Sequence, residues 1–197
     1  MICQWAIAVG TILVAVFAIF GNEMRMLLFG PKLHVALKDP RGESIQWSDG
    51  VNSRYYHLRV WNRGRIPAKN VRVCINTLNR LDADGTMRPI PLSGHIQLAW
   101  QWEESNPQFQ TIGADSTCDL GYLKEGESFK LKTIFDPIAY NFTIAKGERM
   151  IVGIIALSDE AKSTELKLEI AWDGIWSDDP EKMRNHMVIN PFPALNP

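Results

Sequence analysis

Residues 5–21 read Trp5-Ala-Ile-Ala-Val-Gly-Thr-Ile-Leu-Val-Ala-Val-Phe-Ala-Ile-Phe-Gly21, and none of the seventeen is charged. The run is apolar all the way round a helix, not along one stripe, so no helical face of it suits water. With Met1 to Gln4 in the headgroup layer, it reaches the lower end of the length that crosses hydrocarbon. The expectation is a transmembrane helix whose partner is the lipid bilayer. A cleaved signal peptide would carry a basic n-region, which Met1-Ile2-Cys3-Gln4 lacks. A core helix at the extreme N-terminus would need a large domain to cover all its faces.

Beyond the anchor lie about 165 residues, enough for one domain with its own core. Twenty-one Lys and Arg oppose 22 Asp and Glu for a net charge of −1. The two signs are interspersed, so the sequence as a whole shows no electrostatic footprint for nucleic acid or anionic lipid. Of three cysteines, Cys3 belongs to the anchor, and Cys74 with Cys118 could form at most one bridge. That is not a disulfide framework and points to free thiols in a reducing compartment. Arg25, Lys32, Lys38 and Arg41 follow the span and no basic residue precedes it. Basic flanks resist translocation, so the expected localisation is the cell membrane, single-pass, with the C-terminal domain in the cytosol. Asn141-Phe142-Thr143 is a glycosylation sequon, informative only in a eukaryotic lumen.

Gly30-Pro31 ends the helical pattern, and the period changes to two. Leu33, Val35 and Leu37 mark a first strand, closed by the turn residues Asp39-Pro40-Arg41-Gly42; a polar loop is expected to about Arg54. Tyr56, Leu58 and Val60 mark a second strand, with Tyr55, His57, Arg59 and Trp61 on its other face. Val71, Val73, Ile75 and Thr77 mark a third. The segment from Asn79 to Cys118 is the least regular, although Ile96, Leu98, Trp100 and Trp102 alternate as one strand would. Turn sequences around Gly126 and Gly147 lead into Phe129–Thr133 and into Met150–Leu157, a continuous apolar run that reads as a central strand. Leu166, Leu168, Ile170 and Trp172 form the last clear strand. Asp179 is placed as N-cap and Pro180 as first residue of a short helix, followed by an extended tail. Many short strands without long amphipathic helices among them indicate a mainly β chain, an antiparallel β-sandwich.

Tyr56-His-Leu-Arg-Val-Trp-Asn-Arg-Gly64, followed by Ala68-Lys-Asn-Val-Arg-Val73, resembles the second and third strands of CARDB-type bacterial Ig-like domains. Leu120-Gly-Tyr-Leu-Lys-Glu-Gly-Glu-Ser-Phe-Lys-Leu131 is similar to a later turn and strand of that family, and Lys146-Gly-Glu-Arg-Met-Ile-Val152 to its final hairpin. The resemblance covers about half the chain and implies an Ig-like sandwich serving as a scaffolding or adhesive module. Its motif residues are structural: Asn62 and Gly64 at a strand exit, Gly126 and Gly147 at turns needing unusual backbone angles. The anchor-then-sandwich layout with a Trp172-Asp-Gly-Ile-Trp-Ser177 ending is also similar to that of small prokaryotic membrane proteins.

Candidate chemistry is sparse. Asp82-Ala-Asp84-Gly-Thr86 matches the D-x-D-x-T nucleophile pattern of haloacid-dehalogenase-type phosphatases, and Gly113-Ala-Asp115-Ser-Thr-Cys-Asp119 mimics their acidic motif. That chemistry needs the end of a buried parallel strand in a doubly wound fold, whereas Asn79-Arg80-Leu81 is a polar approach to a turn. A calcium loop fails too, because Arg80 stands where its first ligand should and no Glu closes it. His34, His57, His95 and His186 show no metal-ligand spacing, and His34 and His57 are read as ordinary surface imidazoles. No catalytic, cofactor or metal residue is assigned. Trp100, Trp102 and Trp172 fall on the apolar phase of their strands and are expected in the core. Trp61 and Trp176 are free to face a partner.

The expected organisation is an anchor with its interfacial helix extension over 1–29, an Ig-like β-sandwich over 30–178, and a short helix with extended tail over 179–197. The expected function is a single-pass, membrane-anchored, non-catalytic module for protein interaction or scaffolding, its protein partner unidentified. The alternative is an outward-facing carbohydrate-binding sandwich that stacks sugars on exposed tryptophans.

Overall fold

The computed structural model of the chain describes residues 2–47, 50–101, 108–135 and 142–193. It opens with one long helix, α1, over Ile2–Phe29. The helix stops where the sequence stops it: Gly30 donates its N–H to the Met26 carbonyl at 2.8 Å, and Pro31 has none to offer. Among the described residues no helix is long and apolar enough to cross a membrane. The fold thus supplies the expected helix without establishing the expected transmembrane span.

The strands follow as β1 (Leu33–Leu37), β2 (Glu43–Gln46), β3 (Asn52–Asn62), β4 (Ala68–Leu81), β5 (Met87–Pro89), β6 (Ile96–Gln97), β7 (Gln110–Ile112), β8 (Asp115–Lys124), β9 (Phe129–Leu131), β10 (Thr143–Ile144), β11 (Arg149–Leu157) and β12 (Leu166–Trp172). A short helix α2 (Pro180–His186) and the strand β13 (Met187–Pro191) complete the chain. Two antiparallel sheets result, as expected of a mainly β chain. The first runs β1-β3-β8-β9-β10 with β2 on β3; the second runs β13-β12-β11-β4-β5 with β6 and β7 on β4.

One apolar cluster lies between them. Tyr56, Leu58 and Val60 enter it from β3, Val71, Val73 and Ile75 from β4, and Val152 and Ile154 from β11. All eight are fully buried, and the alternation of β3 sends its odd-numbered residues outwards. The run over residues 150–156 is buried along its length and lies between β12 and β4, which explains why its sequence shows no alternation. Trp100 and Trp172 are each 4% exposed and belong to this core.

Four expectations need correction. The polar stretch before Arg54 is not all loop: β2 pairs with β3, and β3 begins at Asn52. As a mostly exposed edge strand, β2 carries no apolar alternation to betray it. Strand β8, the centre of the first sheet, went unrecognised because a register shift opposite Tyr56 and His57 inserts Leu120 and breaks the period of two. The run from Ile96 is not one strand; Gln97 pairs with Cys74 in one sheet and Trp100 bridges to Cys118 in the other, so the segment crosses between sheets. Trp102 lies outside the described residues, as does the sequon residue Asn141. The extended tail is β13, hydrogen-bonded along β12 from Met187 to Pro191. Helix α2 does form as read, with Asp179 Oδ1 accepting from the N–H groups of Glu181 and Lys182.

Two measurements check this packing. Trp172→Ala should destabilise the protein by about 3–5 kcal/mol in thermal or denaturant melts, because the vacated indole leaves a cavity in the core. Replacing Asp82 and Asp84 together by Asn should cost under about 1 kcal/mol, since Asp84 is exposed in the hairpin turn and Asp82 loses only a surface ion pair with Arg88. A tolerant Trp172 position would refute the placement of the core.

Candidate functional site

The outward residues of β3 are Tyr55, His57, Arg59 and Trp61. Pairing sets Tyr122, Asp119, Thr117 and Asp115 of β8 beside them in that order. On the other side, β1 brings His34 opposite Trp61, and β2 brings Glu43 opposite Tyr55. Four strands therefore build one polar and aromatic face.

Its lower half is an aromatic row. Tyr55 stacks on Tyr122 at 5.4 Å between ring centroids and lies 6.3 Å from His57 and 6.4 Å from Trp47. Two cations edge the row: Lys124 Nζ is 4.5 Å from the Trp47 ring, and Lys132 Nζ is 5.7 Å from Tyr122. Burial first, then the neighbouring Tyr122 and Asp119, raise the pKa of the Tyr55 hydroxyl. Trp47 is 39% exposed, so the row presents aromatic surface of the kind that dominates protein contacts.

At the centre of the face sits His57, only 5% exposed. This corrects its reading as an ordinary surface imidazole. Its Nδ1 lies 2.8 Å from Asp119 Oδ1, and its Nε2 lies 3.2 Å from Glu43 Oε2 and 3.4 Å from the Gln101 amide. Asp119 is 7% exposed, so the pair is desolvated. A ring protonated on both nitrogens would donate to both carboxylates. The second nitrogen faces Glu43 in place of a hydroxyl or thiol, so the His–Asp pair is not poised to activate a nucleophile.

The partner-facing tryptophans fare differently. Trp61 stacks on His34 at 5.3 Å with 18° between planes, and the guanidinium groups of Arg59 and Arg63 lie 5.6 and 5.9 Å from its ring. Arg59 in turn pairs with Asp115 at 2.8 Å. Trp176 is half-buried against the core and donates its indole N–H to Asp178 Oδ1 at 2.9 Å. Trp61 belongs to the face; Trp176 lies in the loop before α2.

The structural residues occupy strained or crowded positions. Gly126 and Gly147 both have φ of +80°, each in a turn closed by an i to i+3 hydrogen bond, Glu127 N–H to Lys124 O and Glu148 N–H to Ala145 O. That is where a turn demands glycine. Gly64 packs against the Gly30 carbonyl and Pro31 so closely that a Cβ would overlap both. Asn62, 9% exposed, accepts at Oδ1 from the N–H groups of Lys32 and Gly64, both at 2.8 Å, and donates from Nδ2 to the Ile66 carbonyl at 2.8 Å.

The acidic motifs dissolve into the architecture. Asp82 and Asp84 lie in the β4–β5 turn, where Asp82 N–H donates to Thr86 O and Asp84 Oδ1 accepts from Thr86 N–H. Asp82 also pairs with Arg88 at 2.5 Å. Asp115 and Asp119 stand on the β8 face with Arg59 and His57. No group of three or more His, Cys, Asp or Glu able to hold a metal occurs among the described residues.

Sequence reading found Tyr55, His57 and Trp61 on one phase of β3 but missed their neighbours. Tyr122 and Asp119 were hidden by the irregular period of β8, and Glu43 by the polar composition of β2. Both thiols are free and buried; burial pushes Cys74 up to about 11 and holds Cys118 well above its usual value.

Asp119→Ala should cost about 2–3 kcal/mol in denaturant melts, because it strands a buried ring nitrogen. Glu43→Gln, at an exposed carboxylate, should cost under about 1 kcal/mol. In the native protein at neutral pH neither Cys74 nor Cys118 should react with maleimide until the chain is unfolded, since buried thiols above their usual pKa carry little thiolate.

Compared with known proteins, the chain matches no family model, no curated protein and no solved structure.

Proposed function

We propose that the chain is a single-pass, membrane-anchored, non-catalytic module with an Ig-like sandwich of CARDB type, whose domain binds a protein partner on the cytosolic side. The observation that carries this is α1. Its 28 residues measure about 42 Å at 1.5 Å per residue, close to the thickness of a bilayer with its headgroups. In the full sequence its first charged residue is Glu23. Trp5, Ile12, Val14 and Phe20 are 71, 63, 70 and 52% exposed. Large apolar side chains displayed along a helix call for an apolar environment. The complete uncharged run favours the bilayer.

The partner-binding face we assign is the row of Trp47, Tyr55 and Tyr122 with Lys124 and Lys132 at its edges. The non-catalytic reading is supported by the engagement of the acidic-motif residues: Asp84 by the turn, Asp82 by Arg88, Asp115 by Arg59 and Asp119 by His57. Sugar stacking would need an open indole face. Trp61 is covered by His34 and flanked by two guanidinium groups, and Trp176 is partly packed on the core, so these two tryptophans favour protein over carbohydrate.

Full-length protein should resist carbonate extraction, while a chain beginning at Pro31 should stay in solution and fold. Full-length protein recovered in the wash would overturn the anchor. Sidedness needs a new thiol in a Cys3→Ser background, because Cys74 and Cys118 are buried and Cys3 belongs to the anchor. Glu127→Cys, in an exposed turn, should escape an impermeant maleimide in intact cells and react after lysis. Reaction before lysis would place the domain outside.

A further inference from the structure

The end of α1 is surrounded by cations that the sequence scatters over 45 residues. Arg25 lies on the last turns of the helix, Lys32 just beyond it, and Arg63, Arg65 and Lys69 on or next to the β3–β4 connection. The fold brings that connection onto the helix end. The N–H groups of Arg65 and Ile66 both donate to the Phe29 carbonyl, at 3.1 and 3.0 Å, and the Arg65 guanidinium lies 5.2 Å from the Phe29 ring. Arg25, Met26, Ile66, Pro67, Lys69 and Glu160 line one open groove at this junction.

These cations differ from those elsewhere on the domain. Arg41, Arg59, Arg80, Arg88 and Arg149 each pair with a carboxylate. Among the described residues none of Arg25, Lys32, Arg63, Arg65 and Lys69 does so, and all five are exposed. Asp159, which follows the β11 strand nearby, is already taken by the Asn70 amide at 2.6 Å. Among the described residues lining the groove, Glu160 is the acid. A collar of cations without carboxylate partners among the described residues, beside apolar Met26, Ile66 and Pro67, is complementary to a molecule with anionic and apolar parts.

We propose that this collar binds the headgroups of anionic phospholipids and seats the domain on the membrane surface. The inference rests on the reading of α1 as a bilayer anchor. Taking Gly21 as the end of the hydrocarbon-spanning run, Arg25 lies about 6 Å beyond it and Phe29 about 12 Å. The headgroup layer is about 5–8 Å deep. Arg25 is thus within it, and the Arg63–Lys69 collar about 4–7 Å beyond its outer edge, a gap that long side chains extending back can cross. Attraction to anionic lipid falls off over a Debye length of about 8–10 Å, so only cations at this end of the domain gain from it. Placing them on the folded connection, and not only on the helix, ties the orientation of the domain to the surface.

The test uses the full chain reconstituted into nanodiscs of phosphatidylcholine and phosphatidylglycerol, with retained lipids counted by native mass spectrometry. The triple variant Arg63→Gln, Arg65→Gln and Lys69→Gln leaves α1 untouched, so it should insert as the parent does. The parent should retain phosphatidylglycerol over phosphatidylcholine, and the variant should lose about tenfold of that preference. Arg149→Gln, which removes an ion-paired arginine elsewhere, should keep it. A thermal melt confirms that the variants are folded. An undiminished preference in the triple variant, or an equal loss in Arg149→Gln, overturns the proposal. Protein that never enters the disc overturns the anchor itself, whereas protein that enters without lipid preference overturns only the collar.

Discussion

The amide of Asn62 ties helix and sheets together. Its oxygen accepts from Lys32, just after the helix, and from Gly64 in the β3–β4 connection; its nitrogen donates to Ile66. One buried side chain thereby satisfies three main-chain groups that no strand ladder reaches. Because Asn62 is also the last residue of β3, the helix end is held in fixed relation to the central strand pair of the first sheet. Gly64 is the companion requirement: the chain passes the Gly30 carbonyl too closely for any side chain. These contacts join the helix end directly to the β3–β4 connection.

The same logic runs through the outer face of the first sheet. Strand β3 sends one set of side chains into the core and the other to the surface, so the core packing of Tyr56, Leu58 and Val60 dictates where Tyr55, His57 and Trp61 point. The β8 bulge then brings Asp119 opposite His57 and Tyr122 opposite Tyr55. Register, more than composition, makes this face. A one-residue slip would bury Tyr55 and expose Tyr56, so the site and the core are specified together. The buried Arg54 shows how tightly that end is closed. Its guanidinium donates to the carbonyls of Arg41 and Asp178 at 3.1 Å each, linking the β1–β2 turn to the loop before α2 through main-chain oxygens in place of a carboxylate.

Much of the architecture was legible in the chain itself. The alternation of β1, β3 and β12 and the continuous apolar run of β11 each reflect local burial on one or both faces. Capping of α2 by Asp179 and the positive φ of Gly126 and Gly147 reflect short-range backbone demands. All of these are properties of a few consecutive residues, so periodicity and turn chemistry report them directly. The long uncharged run likewise foretold α1, and its sequence is what favours a bilayer around it.

Other features exist only through pairing at long range. Strand β2 is polar and has no reason to be a strand apart from the edge of β3 it completes. Strand β8 carries an inserted residue, and its alternation becomes meaningful only against β3. The segment from Ile96 changes sheets midway, which no local pattern encodes. His57 illustrates the difference best. The sequence places it on an outward phase, and that is correct; Asp119, Glu43 and Gln101, contributed by three separate segments, convert that outward position into a buried one. The cation collar has the same origin, since Arg25 and Lys69 share a groove only because the Asn62 junction folds the β3–β4 connection onto the helix end. Local burial and turn geometry were determined by the sequence alone. The neighbours across strands were decided by tertiary structure, because register depends on how separate segments fill one common core.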